Sequence, residues 1–378
     1  MTLRGTNAPR AARGAAKVPA TMLHALLATT ALLLPTPADP AALAKDYAAA
    51  VKALNDAHVA KPAAKSEEEL AKKLPAGASK ALAELVKSKD APGLAAALVV
   101  AGEAALDLDR MDDFETVRVR LLKVAPDDAK ALGIALSRSR FVARGTDGVE
   151  AEGLKALADA FDAVLDGYAD VFGLTNFSKV PGKKLRLRAH LVPVITKPPH
   201  FAPQFAWHSE IDFPVVDARG FSSPTEQGQF LFYGLCHELG HVIAMWGDTK
   251  DEEDRHAWAH YTGVVLVEEL SKRKLPALEK ARDGKWRSLA KEREELVKEP
   301  VEAKERERWK RMKAFVGVHD LVGARAVGEA INAMEAAGKV LRVNRVRYYR
   351  VGDFEEAVCA TEAGRKKVKE LRGVIGGK

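Results

Sequence analysis

The chain has 378 residues, of which 47% are hydrophobic and 29% charged. At about 100–200 residues per domain this predicts two or three domains, and the composition excludes a wholly disordered chain, a collagen-like repeat and a multi-span membrane protein. Two cysteines, Cys236 and Cys359, exclude a disulfide scaffold and a four-cysteine structural zinc site, and the net charge of +7 takes its meaning from where it sits.

Arg4, Arg10, Arg13 and Lys17 precede the apolar run Met22 to Leu34, and small residues follow in Ala42-Leu43-Ala44. This order predicts a signal peptide over 1–44, cleaved between Ala44 and Lys45, and a secreted or periplasmic chain. The run is too short to cross a bilayer, so no stable membrane span is expected. From 45 to 150 the sequence is rich in Ala and Leu at helical spacing, as in Leu94 to Val100, and Pro62, Pro75, Pro92 and Pro126 fall at breaks. We read a helical N-terminal module that ends in a turn or linker at Arg144-Gly145-Thr146-Asp147-Gly148. The next helix, Glu152 to Phe172, carries Leu154, Leu157, Phe161, Val164, Leu165 and Tyr168 on one face.

Lys184 to Ile195 alternates basic and apolar residues, and Phe205 to Phe213 alternates again, which predicts strands. Pro193, Pro203 and Pro214 flank them and suit short or edge strands, so a small antiparallel or mixed sheet is expected in front of one long helix. That helix holds His237-Glu238-Leu239-Gly240-His241 within an otherwise apolar run from Gln229 to Trp246. Four residues are just over one turn, so both imidazoles leave one face and can share a metal ion, with Glu238 beside them to take a proton from water. Four of the ten histidines (His237, His241, His256 and His260) fall between 237 and 260, which chance explains poorly.

These residues resemble the zincin metallopeptidases, and within them the gluzincin branch, over about Glu152 to Leu270. The resemblance implies a zinc ion, a catalytic core over 151–271, and a third ligand on the following helix. Gluzincins have a glutamate there, and this chain reads His256-Ala257-Trp258-Ala259-His260-Tyr261 in its place. The match puts His256 at the third metal position beside His237 and His241. Spacing alone leaves Asp254, Glu253, Glu252, His260, Glu268 and Glu269 open as alternatives, and His260, one turn after His256, is also placed to orient a ligand. Trp258, Tyr261, Val264 and Val265 read as core. The resemblance also implies a peptide or protein substrate, a zinc ion that polarises the scissile carbonyl, and Glu238 as the general base that passes a proton to the leaving amine. His319 lies at a family-like distance for an oxyanion donor, though a capping or surface role suits it as well. The strand around His208 could be the edge that aligns an extended substrate.

The positive charge concentrates in Ser271 to Lys313, where 16 basic residues meet 9 acidic ones. The signs alternate at helical spacing, as on solvated helix faces, so no nucleic-acid partner is expected. From 272 to 378 the chain reads as a helical C-terminal region, with Val340 to Tyr349 as a short strand or extended connection and Phe354 to Leu371 as a last helix. The expected fold is α+β and mostly helical: a zincin-like catalytic core of small sheet and HExxH helix, flanked by helical N- and C-terminal regions. The expected function is that of an exported zinc metallopeptidase; a non-catalytic envelope protein that keeps such a fold as a binding scaffold is the alternative. Oligomeric state is not legible.

Overall fold

The computed structural model of the chain describes residues 39–62, 65–178, 180–193, 200–202, 210–246, 253–279, 288–343 and 346–376. Helix α1 (Pro40–Ala60) begins where the Asp39 carboxylate accepts from the Ala41 amide at 3.0 Å and Pro40 fills a first-turn position that needs no N–H. Leu43, Ala44, Tyr47 and Val51 recur on its buried face. The expected cleavage point after Ala44 therefore falls inside α1, where a cut would take Leu43 and Ala44 out of a packed core. Residues 1–38 of the expected leader lie outside the described residues. Helices α2 (Glu67–Ala71), α3 (Ala76–Lys87), α4 (Leu94–Asp107), α5 (Met111–Val124) and α6 (Pro126–Leu132) complete the helical layer.

The helices stop at Leu132, earlier than the sequence suggested. Strands β1 (Ile134–Ser137) and β2 (Phe141–Thr146) follow, so Arg144 to Thr146 is strand and the turn is confined to Asp147 and Gly148, both at positive φ. Phe141 and Ala143 enter one core and Val142 the other, so β2 is covered on both sides and lacks the alternation of a half-exposed strand. Helix α7 (Ala151–Gly167), extended by one π turn over Tyr168–Phe172, crosses to β3 (Leu185–Leu191). Strand β4 (His200–Ala202) and strand β5 (Glu210–Val215) complete a mixed sheet of order β1-β2-β3-β5-β4. β2, β3 and β5 are parallel, and Ala143, Leu187 and Ile211 stand in one row across them, with Gly145, Ala189 and Phe213 in the next. The edges are β1, antiparallel to β2, and β4, antiparallel to β5. This corrects the expectation for the strand around His208: β5 is interior, paired on both sides, and His208 itself lies outside the described residues.

Helix α8 (Glu226–Ile243) carries the HExxH motif. Thr225 caps it by accepting from the Gly228 amide at 3.1 Å, and the backbone turns extended at Ala244. Strand β6 (Met245–Trp246) then leads to helix α9 (Glu253–Ser271). Beyond lie α10 (Leu289–Glu295), α11 (Ala303–Ala336, bent at Gly323 with φ 79°), β7 (Leu341–Val343) and β8 (Val346–Tyr349). The β7–β8 hairpin joins β6 in a second sheet, so Val340 to Tyr349 is more than a connection. The expected last helix is three: α12 (Val351–Ala360), α13 (Glu362–Arg365) and α14 (Val368–Ile375), broken where Thr361 accepts from the Gly364 amide at 3.0 Å.

Two cores flank the five-stranded sheet. Leu187, Ile211 and Phe213 pack with α7, α8, α9 and α11, while α1 to α6 gather around Leu98, Phe114 and Leu121 with Val142 of β2. The helical layer is tied to the sheet by buried charge. Glu67 accepts from Arg186 Nη2 at 3.0 Å and lies 3.5 Å from Lys183 Nζ; Lys183 also bonds Asn55, and Arg186 donates to the Leu106 carbonyl at 2.7 Å. The chain is thus α+β and mostly helical. Among the described residues no helix is long and apolar enough to cross a membrane.

Candidate metal centre

Helices α8 and α9 approach closely at a glycine inside the motif. A Cβ on Gly240 would stand 2.8 Å from the Ala259 Cα and 2.7 Å from Thr262 Oγ1, so only glycine lets the two helices meet here. Polar contacts lock the crossing. Trp258 Nε1 donates to the Gly240 carbonyl at 3.1 Å, and Tyr168 Oη lies 2.8 Å from both the Cys236 carbonyl and Thr262 Oγ1. Trp258, Tyr261, Val264 and Val265 are buried, as their spacing predicted.

The crossing brings His256 of α9 to the two histidines of α8. Nitrogen atoms of His237, His241 and His256 all lie within 4.8 Å of one another, and the ring centres are 4.8 Å (His237 to His241), 4.9 Å (His241 to His256) and 5.7 Å (His237 to His256) apart. His237 Nε2 and His241 Nε2 are 3.2 Å apart. Ligands at about 2.0–2.1 Å around a tetrahedral zinc stand roughly 3.3 Å from each other, so this pair fits one ion. His241 is buried and His256 exposed, which leaves the cluster open on one side. Burial first, then the charges of His241, His256 and His260, hold His237 well below the usual histidine range. A neutral imidazole is the form that ligates metal. Glu238 follows His237 on α8 and is 6% exposed.

The other sequence candidates fall elsewhere. His260 turns away from the cluster to Tyr233 and Glu292: its Nδ1 lies 2.6 Å from Tyr233 Oη and its Nε2 3.1 Å from a Glu292 carboxylate oxygen. Glu268 accepts from the Leu289 amide at 2.8 Å and Glu269 from Lys272 at 2.6 Å. Glu252 and the side chains of Glu253 and Asp254 lie outside the described residues. His319 of α11 pairs with the Tyr261 hydroxyl at 3.0 Å, within an aromatic cluster that includes Phe315.

No family model, curated protein or solved structure matches the chain.

Two polar residues beside the cluster escaped the sequence reading. Tyr233 lies one turn before His237 on α8, with its hydroxyl 3.3 Å from His237 Nδ1. That i, i+4 spacing was visible, but a tyrosine in an apolar helix reads as core. Glu292 lies among alternating charges and carries no local mark, although it is 4% exposed.

Proposed function

We propose that the chain is a zinc-dependent peptidase of zincin type, with His237, His241 and His256 holding the ion and Glu238 as general base. The observation that carries this reading is the 3.2 Å separation of His237 Nε2 and His241 Nε2, with a His256 nitrogen closing the group. When bound, zinc supplies Lewis acidity toward a scissile carbonyl and an attacking water. Three histidines bring no negative charge of their own, so the ion keeps its full electrophilic character, unlike one neutralised in part by a glutamate ligand. Glu238 takes the proton of the attacking water and returns it to the leaving amine, which avoids expelling an amide anion. Substrate enters on the exposed side of His256.

The test is Glu238→Gln. Hydrolysis of a peptide library is expected to vanish while zinc content stays at the parent level. Full activity in that variant would overturn the assignment.

A further inference from the structure

Four side chains from three helices form a continuous hydrogen-bonded line that ends on a metal-ligand histidine. It runs from the Glu292 carboxylate to His260 Nε2 at 3.1 Å, from His260 Nδ1 to Tyr233 Oη at 2.6 Å, and from Tyr233 Oη to His237 Nδ1 at 3.3 Å. His237 Nε2 is then the atom turned toward His241, at 3.2 Å. Resting on the zinc-site reading above, we propose that Glu292, His260 and Tyr233 are positioning residues that fix the tautomer of His237, so that Nε2 always presents its lone pair to the metal.

The direction of the line follows from its end. A carboxylate accepts only, so a neutral His260 imidazole beside Glu292 carries its proton on Nε2 and leaves Nδ1 as an acceptor; the line takes this direction for the neutral ring. Tyr233 has one hydroxyl proton and gives it to His260 Nδ1. Its oxygen lone pairs are then what His237 Nδ1 meets, and His237 must donate there. A neutral imidazole with its proton on Nδ1 has its lone pair on Nε2. A carboxylate on α10 thereby sets the ligating atom of a histidine on α8, through α9 and without touching the ion. Direct contacts of a carboxylate or carbonyl with a ligand histidine do the same in other metal sites. Here the distance is covered by a histidine and a tyrosine.

The seating of α10 belongs to the same device. Its first turn is held by the Leu289 amide donating to Glu268 at 2.8 Å, and Arg293 is paired with Asp320 of α11. Glu292 stands between these two anchors and is 4% exposed. A carboxylate so buried must be held by its polar contacts, and His260 Nε2, at 3.1 Å, is one of them.

The experiment uses the full chain and three variants, Tyr233→Phe, Glu292→Leu and Glu292→Gln. Metal-free thermal stability is measured first, then zinc and cobalt affinity by competition with a chromophoric chelator, together with the visible spectrum of the cobalt form. Nitrogen-15 NMR of the imidazoles reads the His237 tautomer in the metal-free chain. Tyr233→Phe and Glu292→Leu are expected to bind about 10- to 100-fold more weakly, with an altered cobalt spectrum. Glu292→Gln, whose amide oxygen still accepts from His260, should stay near the parent. His237 should carry its proton on Nδ1 in the parent and lose that preference in Tyr233→Phe. Parent-like affinity in Tyr233→Phe, or a His237 proton on Nε2 in the parent, would overturn the proposal. A parent that takes up neither metal would overturn the zinc-site reading instead, and the tautomer in the metal-free chain would still decide the line itself.

Discussion

Gly240 and Ala259 stand so close that a side-chain carbon on Gly240 would lie 2.8 Å from the Ala259 Cα. The glycine inside HExxH is thus what lets α9 carry His256 to His237 and His241. Gly240→Ala would drive its methyl into the Ala259 backbone at 2.8 Å and into the Thr262 hydroxyl at 2.7 Å, and of the two the backbone cannot swing aside. We expect a loss of about 1–3 kcal/mol in a urea titration, together with weaker zinc uptake as His256 moves off. A variant with the parent's midpoint and affinity would show that the crossing has room to spare.

The buried Glu67, Lys183 and Arg186 group makes the helical layer and the sheet one cooperative unit. Burial pushes the Glu67 carboxyl up and the Lys183 ammonium down, against the opposing pull of their partners. Glu67→Leu alone leaves two cations without their counter-charge and is expected to cost about 3–5 kcal/mol. Adding Lys183→Met and Arg186→Met should recover most of that loss, because an apolar trio of similar volume leaves no charge behind. Chemical denaturation of the single and triple variants decides it; a triple variant less stable than the single one would contradict this account.

His319 predicts a pH dependence of stability. Burial holds it below its ordinary value of 6.5, with the nearby Arg293 acting the same way and Asp320 opposing. Between the depressed native value and 6.5 the unfolded chain binds more protons than the folded one, so stability is full above 6.5 and falls as pH drops through that window. Urea midpoints of the metal-free chain should be lower at about pH 5.5 than at about pH 7.5, and His319→Gln should flatten part of that slope. An unchanged slope would mean that His319 titrates alike in both states.

The convergence of His237 and His241 was legible because helical periodicity is strict: residues four apart share a face. His256 was reached only through the gluzincin resemblance, since spacing left several residues of the following helix open. The first two strands were not legible. β2 is covered on both faces, and Gly145 reads as a turn residue although it sits in the strand with the Val149 side chain in the space a Cβ would need, at 2.6 Å. Glu292 was hidden for a different reason, since burial by tertiary packing leaves no trace in a run of alternating charges. The strand expected around His208 is described only from Glu210 on, and only pairing reveals that β4 lies outside it.

The most direct measurement is zinc content by plasma mass spectrometry on the purified chain, beside His237→Ala and His256→Ala. The account predicts about one zinc per chain in the parent and its loss in both variants. No zinc in the parent, and none taken up when zinc is added, would contradict it and leave the fold as a binding scaffold.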